Sequence, residues 1–284
     1  MNTPKEIIHQ YNIKPRKRLG QSFLLDINTI HKIAAAGGIS SDDVVVEIGA
    51  GIGVLTKDIA QSARRVIAVE IDPQLVTALQ EQLDGHDNVE ISSGDILKFD
   101  FASIAHQYKT KVKVIGNIPY NISSPVIFHL LSYRSVISDF TLMLQKEVVE
   151  RLVAPPDNKS YGVPSVILQM FAAVEKVLDV PATCFYPRPK VESAVIRGAF
   201  RERPLVALAD EEFFIKLVKA AFAQRRKTLL NNLKRAALMT NVPEEKIREA
   251  LEEARIDGRR RGETLTVAEF GHLANILKIH KAHR

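Results

Sequence analysis

A short turn, Asn117-Ile118-Pro119-Tyr120, carries the strongest chemical signal in the sequence. The exocyclic amine of adenine is a poor nucleophile because its lone pair is delocalised into the ring. Two acceptors aimed at the amine hydrogens, the Asn117 side-chain oxygen and the Ile118 carbonyl, would localise that lone pair toward an incoming methyl group. Pro119 fixes the loop, and Tyr120 offers an aromatic face for an extruded base. In-line displacement at an activated methyl needs positioning rather than a metal or a strong base, so the turn predicts methyl transfer. Taken alone, it also fits a plain Asn-x-Pro turn.

A glycine-rich loop, Gly49-Ala50-Gly51-Ile52-Gly53, directly follows an apolar run and precedes a helical pattern. Glycines at such a point let the backbone approach a ligand at a helix N-terminus, with Gly49 and Gly51 as candidate contacts. Glu70 ends the next apolar run, where a carboxylate can accept hydrogen bonds from ribose hydroxyls. Asp95 follows the third run and can accept from an adenine amine. Either acid alone also fits a surface carboxylate or a helix cap, but with the loop they predict a nucleotide-containing cofactor.

Two cofactor classes compete for this loop. A dinucleotide carries a pyrophosphate, which favours a helix N-terminus without a carboxylate nearby. Glu47 stands inside the run just before the glycines and instead favours a cofactor that bears positive charge. S-adenosylmethionine carries a sulfonium and an ammonium, and the G-x-G-x-G spacing, rather than G-x-G-x-x-G, favours it as well. The alternative interpretation of Glu47 is a buried acid bonded to loop amides.

The elements that must position these residues follow an α/β pattern, in which short apolar runs alternate with helical patterns. The predicted strands cover residues 44–48, 66–69, 89–91, 112–115 and 140–144. Asp72-Pro73 and Ser124-Pro125 each predict a helix start, because an N-cap residue precedes a proline. Residues 166–180 and 193–200 are predicted to form a late antiparallel pair at the sheet edge. In an open α/β sheet, the glycine loop and the turn at 117–120 then lie beside one crevice, at the carboxyl ends of the strands.

The last part of the chain changes to helical patterns. Apolar residues recur at spacings of three and four from Phe213 to Phe222, and the basic residues Arg225, Arg226 and Lys227 fall largely off that stripe. Another helix is predicted near Pro243, and a capping box at 266–269 opens the last one. The sequence therefore predicts two domains, an α/β domain over residues 1–203 and a small all-helical domain over residues 204–284.

The basic charge is concentrated in that second domain. Residues 1–200 hold 21 basic and 21 acidic side chains, whereas residues 201–284 hold 18 basic and 12 acidic ones. A second local cluster covers 14–18. Basic surfaces concentrate polyanions, of which nucleic acid is the usual one, although a solvated lysine-rich face fits the same counts.

Composition excludes several other classes. With 284 residues, 46% of them hydrophobic, the chain has ample material for a packed core. Its apolar runs stop short of the ~18 residues that a spanning helix needs. The N-terminus shows no apolar signal core, and the single cysteine, Cys184, has no partner for an internal disulfide, so we expect a cytoplasmic protein. The histidines lack paired-ligand spacing, so no metal site is predicted.

Six motifs in fixed order resemble the ribosomal RNA adenine N6-dimethyltransferase family, and within it the small-subunit (KsgA) type. The resemblance runs from about residue 12 to the C-terminus. The motifs are Gly20-Gln21-Ser22-Phe23-Leu24, Glu47-Ile48-Gly49-Ala50-Gly51, Asn117-Ile118-Pro119-Tyr120-Asn121-Ile122-Ser123, Leu144-Gln145-Lys146-Glu147-Val148, Phe185-Tyr186-Pro187-Arg188-Pro189-Lys190-Val191-Glu192-Ser193 and Gln224-Arg225-Arg226-Lys227-Thr228-Leu229. The resemblance implies a Rossmann-like S-adenosylmethionine-dependent methyltransferase fold with a small C-terminal all-helical domain.

The resemblance also implies roles for individual residues. It implies cofactor contacts at Ser22, Leu24, Gly49, Glu70, Asp95 and Asn117. The target base is expected between Tyr120 and Phe185, whose alternative role is loop packing against the sheet edge. The basic residues Arg16, Lys17 and Arg18 are expected to border the active site, and a helix with Arg225, Arg226 and Lys227 to contact the rRNA backbone. Two positions depart from the family pattern, Ser22 for the usual asparagine and Glu192 for the more common aspartate.

The leading hypothesis is therefore an enzyme that dimethylates N6 of two adjacent adenosines near the 3′ end of small-subunit (16S) rRNA, with a linked role in subunit biogenesis. The alternatives are an Erm-type methyltransferase of large-subunit rRNA, a DNA adenine methyltransferase, and a mainly non-catalytic ribosome-assembly factor. The expected partner is the small ribosomal subunit. No membrane partner or obligate dimer is expected.

Overall fold

The β-branched runs of the first 150 residues form parallel strands. The computed structural model of the protein describes residues 3–282. Its strands are β1 (Phe23–Leu24), β2 (Val44–Ile48), β3 (Arg65–Glu70), β4 (Val89–Ser93), β5 (Val112–Asn117), β6 (Ile137–Gln145), β7 (Ala172–Val180), β8 (Phe185–Tyr186) and β9 (Ser193–Phe200). Seven strands form one sheet in the order β4-β3-β2-β5-β6-β9-β7, and β1 pairs with β8 in a separate antiparallel sheet. Strands β4 to β6 of the large sheet are parallel, and β9 is antiparallel to β6. The predicted α/β fold class and its five strands are confirmed.

The helices follow the predicted alternation with those strands. They are α1 (Pro4–Gln10), α2 (Ile27–Ala36), α3 (Val54–Ala60), α4 (Pro73–Gln82), α5 (Phe101–Tyr108), α6 (Ser123–Ser132), α7 (Lys146–Val153), α8 (Val163–Phe171), α9 (Glu211–Ala221), α10 (Leu229–Lys234), α11 (Glu244–Glu253) and α12 (Val267–Ala282). Asp72 caps α4 as predicted, because its side chain accepts from the N–H of Gln74 at 3.1 Å. The capping box of α12 forms between Thr266 and Glu269. Helix α6 begins at Ser123, one residue before the predicted cap.

Close approach of β2 and β5 brings the two chemical motifs together. Gly116 pairs with Ile48 in the parallel register, and a Cβ at position 116 would lie 2.5 Å from the Ile48 carbonyl oxygen. Only glycine therefore fits here without a shift of the backbone. As a result, the strand end before the glycine loop lies beside the strand end that carries Asn117.

The prediction of a strand beginning at residue 166 was wrong, because residues up to Phe171 form α8. Pro164 occupies the first turn, and the Ser165 hydroxyl accepts from the N–H of Gly162 at 3.0 Å, which caps the helix. The helix is buried on nearly all sides, so its sequence is an apolar run without the periodicity that would reveal a helix. The strand begins only at Ala172.

The prediction that Arg225, Arg226 and Lys227 lie on a helix was also wrong. Helix α9 ends at Ala221, and residues 222–228 form turns. The Asn232 side-chain amide donates to the carbonyl oxygens of Ala221 and Gln224, at 2.8 and 3.2 Å. These are carbonyls that a continuing helix would use for its own hydrogen bonds, so the asparagine stabilises the turn in its place.

The described residues divide into two compact units. The first unit comprises the chain up to Val149 together with Val174–Phe200, and the second comprises Glu150–Ala173 together with the chain from Arg201 onward. The predicted single boundary at 203/204 is corrected in two places, since residues 150–173 and 201–203 belong to the helical unit. Within that unit, α8 packs against α9 and α12, and the N–H of Arg201 donates to the Phe171 carbonyl at 2.8 Å.

Candidate active site

The glycine loop between β2 and α3 adopts a backbone conformation that side chains disfavour. Gly49, Gly51 and Gly53 have φ angles of 68°, 59° and 78°. This is the left-handed region, in which glycine carries no steric penalty. The N–H of Gly51 donates to Glu70 Oε2, and the N–H of Gly49 donates to the Val69 carbonyl, both at 2.9 Å. The end of β3 therefore fixes the shape of the loop.

Glu70 is the acid at that strand end, and only 5% of its surface is exposed. Its Oε1 accepts from the N–H groups of Ile71 and Asp72 at 2.9 and 2.8 Å, while its Oε2 accepts from Gly51. Burial raises the pKa of this carboxyl, and the three amide bonds oppose the rise. A carboxylate has about four lone-pair positions, so about one is left. To accept hydrogen bonds from both ribose hydroxyls, Glu70 would therefore have to give up one of its three bonds to backbone N–H groups.

Glu47 is a buried carboxyl group inside β2, 2% exposed. Within residues 3–282, its Oε2 has no hydrogen-bond partner. Burial raises the pKa of Glu47 to about 8, the nearby Thr56 hydroxyl opposes this rise, and the charge of nearby Glu70 adds to it. The side chain lines a small cavity together with Leu24, Gly49 and Gly51. A cation placed there would favour the ionised form of Glu47, as the sequence interpretation requires.

Asn117, the last residue of β5, is held by the N-terminal part of the chain. Its Nδ2 donates to the Ser22 carbonyl oxygen at 3.0 Å. This bond fixes the orientation of the amide group, in which only the Oδ1 atom can accept a hydrogen bond from a ligand. The next residue, Ile118, is buried, and its N–H donates to the Met143 carbonyl at 3.0 Å, which ties the turn to β6.

The aromatic ring of the turn is also fixed. The Tyr120 hydroxyl lies 2.7 Å from the Ser193 Oγ, and Ser193 is fully buried at the start of β9. Burial raises the pKa of Tyr120, so its hydroxyl stays protonated. Pro119 begins the 3₁₀ turn that holds the ring, and its carbonyl accepts from the N–H of Ile122 at 3.0 Å. Tyr120 is thus held in place by the 3₁₀ turn that contains it and by the hydrogen bond of its hydroxyl group.

The strand ends and the turn open onto one cavity of about 210 Å³. It contains most of the predicted site residues: Ser22, Gly49, Gly51, Glu70, Asp95, Asn117, Ile118, Pro119 and Tyr120. One oxygen of Asp95 accepts from the N–H of Leu97 at 3.0 Å. Sequence reasoning missed Ile71, a cavity-lining side chain that is 48% exposed. Its position directly after Glu70, at a strand end, is the signal that could have revealed it.

Ser22 contributes its backbone to the site, while its side chain is turned to another loop. The Ser22 hydroxyl donates to the Pro187 carbonyl at 2.8 Å, and its own carbonyl holds Asn117. A serine, in place of the asparagine that the resemblance implies, therefore leaves the contact with Asn117 intact. Leu24 lies in the smaller cavity beside Glu47.

Phe185 is not brought to the larger cavity. It is 5% exposed and packs in a core cluster with Ile33, Val180 and Val195. The register between β1 and β8 pairs it with Leu24, which sets it on the core side of that small sheet. The structure thus shows the alternative, packing against the sheet, and the expected position of Phe185 beside the target base stays a prediction.

The three basic residues before β1 have different surroundings. An Arg16 guanidinium nitrogen lies 2.9 Å from a carboxylate oxygen of Asp72. Arg18 lines the larger cavity, whereas the exposed Lys17 does not. Only Lys17 and Arg18 therefore present cations that no carboxylate within residues 3–282 pairs.

The three basic residues of the second unit, in the basic turn at residues 225–227, also differ in their surroundings. Arg225 forms an ion pair with Glu263 at 3.1 Å and donates to the Lys159 carbonyl at 2.6 Å. Arg226 and Lys227 are exposed, and neither forms an ion pair with any residue that the structure describes. Two of the three predicted RNA contacts are thus free cations.

The geometry of the first unit fits a nucleoside cofactor with a cationic group. The unpaired, buried acceptor of Glu47 suits a positive charge, and the carboxylates at the ends of the next two strands suit ribose and adenine. A pyrophosphate would instead meet the Glu47 carboxyl group beside the glycine loop. A buried carboxyl acceptor for a cation beside a glycine loop, at the carboxyl ends of parallel strands in a Rossmann-like sheet, is typical of S-adenosylmethionine-dependent methyltransferases. The fold and the cavity therefore assign the chain to that class.

Comparisons with known proteins narrow this class to a family. The sequence profile of the ribosomal RNA adenine dimethylase family matches residues 12–273. A relative named ribosomal RNA small subunit methyltransferase A, from Syntrophus aciditrophicus, is 44% identical over 98% of this chain and 99% of its own. The protein of the same name from Geobacillus thermodenitrificans is 45% identical over 96% and 94%. The chain therefore belongs to the ribosomal RNA adenine dimethylase family.

Solved structures agree with this assignment. A dimethyladenosine transferase from Plasmodium falciparum has a TM-score of 0.77 at 29% identity, covering 88% of this chain and 95% of that one. The 23S rRNA methyltransferase ErmE has a TM-score of 0.71 at 28% identity, covering 90% and 99%. The predicted family, enzyme class and methyl donor, S-adenosylmethionine, are confirmed. Among residues 3–282, no helix is long and apolar enough to cross a membrane.

Proposed function

We propose that this chain transfers methyl groups from S-adenosylmethionine to N6 of two adjacent adenosines near the 3′ end of small-subunit (16S) rRNA, giving N6,N6-dimethyladenosine. The choice of subunit is supported by relatives at 44% and 45% identity that carry a small-subunit name, against 28% for ErmE. The observation that carries the chemistry is the Asn117 side chain. Its nitrogen is bonded to the Ser22 carbonyl, so its oxygen is available at the cavity.

The cofactor would lie along the strand ends of the first unit. When bound, S-adenosylmethionine supplies a methyl group activated by its sulfonium. Glu47 would balance the positive charge, Glu70 would accept from the ribose and Asp95 from the adenine amine, with Ile71 against the apolar ring face. The remaining contacts would come from Ser22, Leu24, Gly49, Gly51 and Asn117.

The target amine would be activated by the turn. The Asn117 oxygen and the Ile118 carbonyl would accept its two hydrogens, so that its lone pair is localised toward the methyl carbon. Pro119 keeps these two acceptors in register, and the Tyr120 ring, held through Ser193, stacks on the base. The residues of this chain thus act by aligning the target amine with the methyl group, and such alignment alone can supply a large part of the rate enhancement of methyl transfer.

Binding of the subunit would use the free cations on each unit. Lys17 and Arg18 lie near the cavity of the first unit, and Arg226 and Lys227 lie on the helical unit, which we propose as an RNA-binding domain. We further propose that the protein acts as a monomer in the cytoplasm and takes part in small-subunit assembly.

The test is methylation of unmethylated small ribosomal subunits with labelled S-adenosylmethionine, followed by mass spectrometry of the nucleosides. We expect dimethyladenosine at two adjacent positions of 16S rRNA. Parallel reactions contain large subunits and a DNA duplex. Product only in 23S rRNA would identify an Erm-type enzyme, and product only in DNA a DNA methyltransferase. Tight subunit binding without any product would identify an assembly factor.

A further inference from the structure

The segment that borders the cofactor cavity on its N-terminal side, residues 16–24, is called here the N-terminal strap. Residues from Arg18 to Phe23 line the cavity. The Phe23 ring lies against the glycine loop, since a Cβ at Gly51 would be 3.6 Å from it. Apart from a 3₁₀ turn at Lys17–Leu19 and two residues in a strand, this segment has no regular secondary structure, so side-chain anchors are needed to keep its position.

The first anchor is Asp72, whose side chain is 2% exposed. It accepts from the Arg16 guanidinium at 2.9 Å and from the Gln21 Nε2 at 2.8 Å. The N–H of Arg16 in turn donates to the Gln21 Oε1 at 2.7 Å. Arg16, Gln21 and Asp72 therefore close a ring of polar contacts that fixes the start of the strap.

This anchor is connected directly to the cofactor side of the cavity. The N–H of Asp72 donates to Glu70 Oε1 at 2.8 Å, and Asp72 also caps α4. At its other end the strap holds Asn117 through the Ser22 carbonyl. Loss of the Arg16 cation would leave a buried carboxylate without its counter-charge, and a buried charge that loses its partner rearranges its surroundings.

We propose that Arg16 is a positioning residue for cofactor binding that acts through Asp72, and that it is not a contact for RNA phosphate. The inference rests on the proposed function, which assigns this cavity to the cofactor. Its neighbour Lys17 is the opposite case, because it is exposed and lies outside the cavity lining. Two adjacent cations thus have separable roles.

The experiment measures the Kd of S-adenosylhomocysteine by calorimetry, and the Kd and salt dependence of unmethylated small subunits by filter binding. The proteins are the full chain, its R16Q, R16K, K17Q and D72N variants, and the double variant R16Q/D72N. We expect R16Q to raise the Kd for S-adenosylhomocysteine about tenfold, because the charged hydrogen bond between residue 16 and the Asp72 carboxylate is lost. The same variant should change the Kd for the small subunit less than about twofold. K17Q should leave that Kd unchanged and reduce the salt slope of subunit binding by about one.

The remaining variants separate positioning from a loss of fold. R16K keeps the charge and should recover most of the affinity. D72N keeps the helix cap but removes the counter-charge, so R16Q combined with D72N should cost less than the two single effects multiplied. Thermal unfolding confirms that each variant is folded at the temperature of measurement.

Two results would overturn the inference. One is an R16Q protein with wild-type affinity for S-adenosylhomocysteine, and the other is a loss of subunit affinity and salt slope in R16Q equal to that in K17Q. Failure of the unmodified protein to bind S-adenosylhomocysteine at all would instead reject the proposed function. If R16Q does not fold, R16K and D72N still decide, since equal cofactor affinity in D72N and wild type contradicts the role of the ion pair.

Discussion

The cofactor cavity of the first unit and the basic turn of the second unit use charge in opposite ways. In the cavity, Glu70 accepts three backbone amide bonds and Asn117 is tied to Ser22, so each polar group has one orientation. In the turn, Arg226 and Lys227 are exposed and lie without ion pairs among the described residues. Under the proposed function, fixed polar groups serve chemistry, which depends on alignment, while free cations serve RNA binding, which depends on their number. Substitutions in the two regions should therefore fail differently.

The largest difference between the two regions is expected for the Asn117→Ala variant. We expect the single-turnover rate of methyl transfer to fall by about 10²–10³, the usual cost of removing one preorganised hydrogen bond at a reacting centre. Subunit affinity should change less than about threefold, because the side chain is directed to Ser22 and the cavity. Rapid-quench methylation and filter binding measure the two quantities.

A second variant, Asn117→Asp, distinguishes the acceptor from its orientation. It keeps an acceptor oxygen but loses the donor to the Ser22 carbonyl, so an intermediate rate indicates that the Ser22 bond orients the acceptor. Wild-type rates in N117A would refute the role of this side chain. A large loss of subunit binding in N117A would mean that the turn shapes the RNA-facing surface.

The next largest effect concerns Glu47 and pH. Its pKa is about 8 in the folded chain, against an ordinary 4.5. Between these values the folded state holds one proton more than the unfolded state, so the free energy of unfolding should fall as pH rises from 5 to 8. Glu47→Gln should flatten that slope, and the difference between the two proteins separates Glu47 from Glu70, whose pKa is also raised. Chemical denaturation across this pH range measures it.

The same carboxyl should link cofactor binding to a proton. A sulfonium or ammonium beside Glu47 favours the ionised form, so binding below pH 8 should release a proton and strengthen as pH rises. Calorimetry in two buffers of different ionisation enthalpy detects this release, and Glu47→Gln should abolish it and weaken binding about tenfold. Identical proton release in both proteins would assign it to another group.

The sequence predicted the cavity better than it predicted the basic turn, for a physical reason. The glycines at 49–53 and the acid at 70 follow strands whose carboxyl ends must meet, so type and position along the chain suffice to bring them together. Charge counts cannot reveal that Arg16 is paired with Asp72 or Arg225 with Glu263, because these partners are 56 and 38 residues apart in sequence. The helix α8 was missed for a related reason, since an element buried on nearly all sides loses its periodicity.

The smallest effects are expected in the basic turn itself. Replacing Arg226 and Lys227 together by glutamine should weaken subunit binding about fivefold at moderate salt and reduce the slope of log Kd against log salt by about two, one for each phosphate contact. Arg225→Gln should change that slope by less than one, because its guanidinium is already bonded to Glu263 and the Lys159 carbonyl. Filter binding over a salt series provides all three slopes.

The Arg225 variant also controls for structure. Its ion pair is half exposed, and such pairs contribute at most about 1 kcal/mol to stability, so R225Q should fold and melt nearly as the unmodified protein does. A slope reduction of about one in R225Q, the amount expected for one phosphate contact, would mean that Arg225 leaves Glu263 for a phosphate when RNA binds. In that case the contact with the RNA phosphate offsets the free energy of breaking the Arg225–Glu263 ion pair. The distinction between the bonded Arg225 and the free Arg226 and Lys227 would then describe only the protein without RNA.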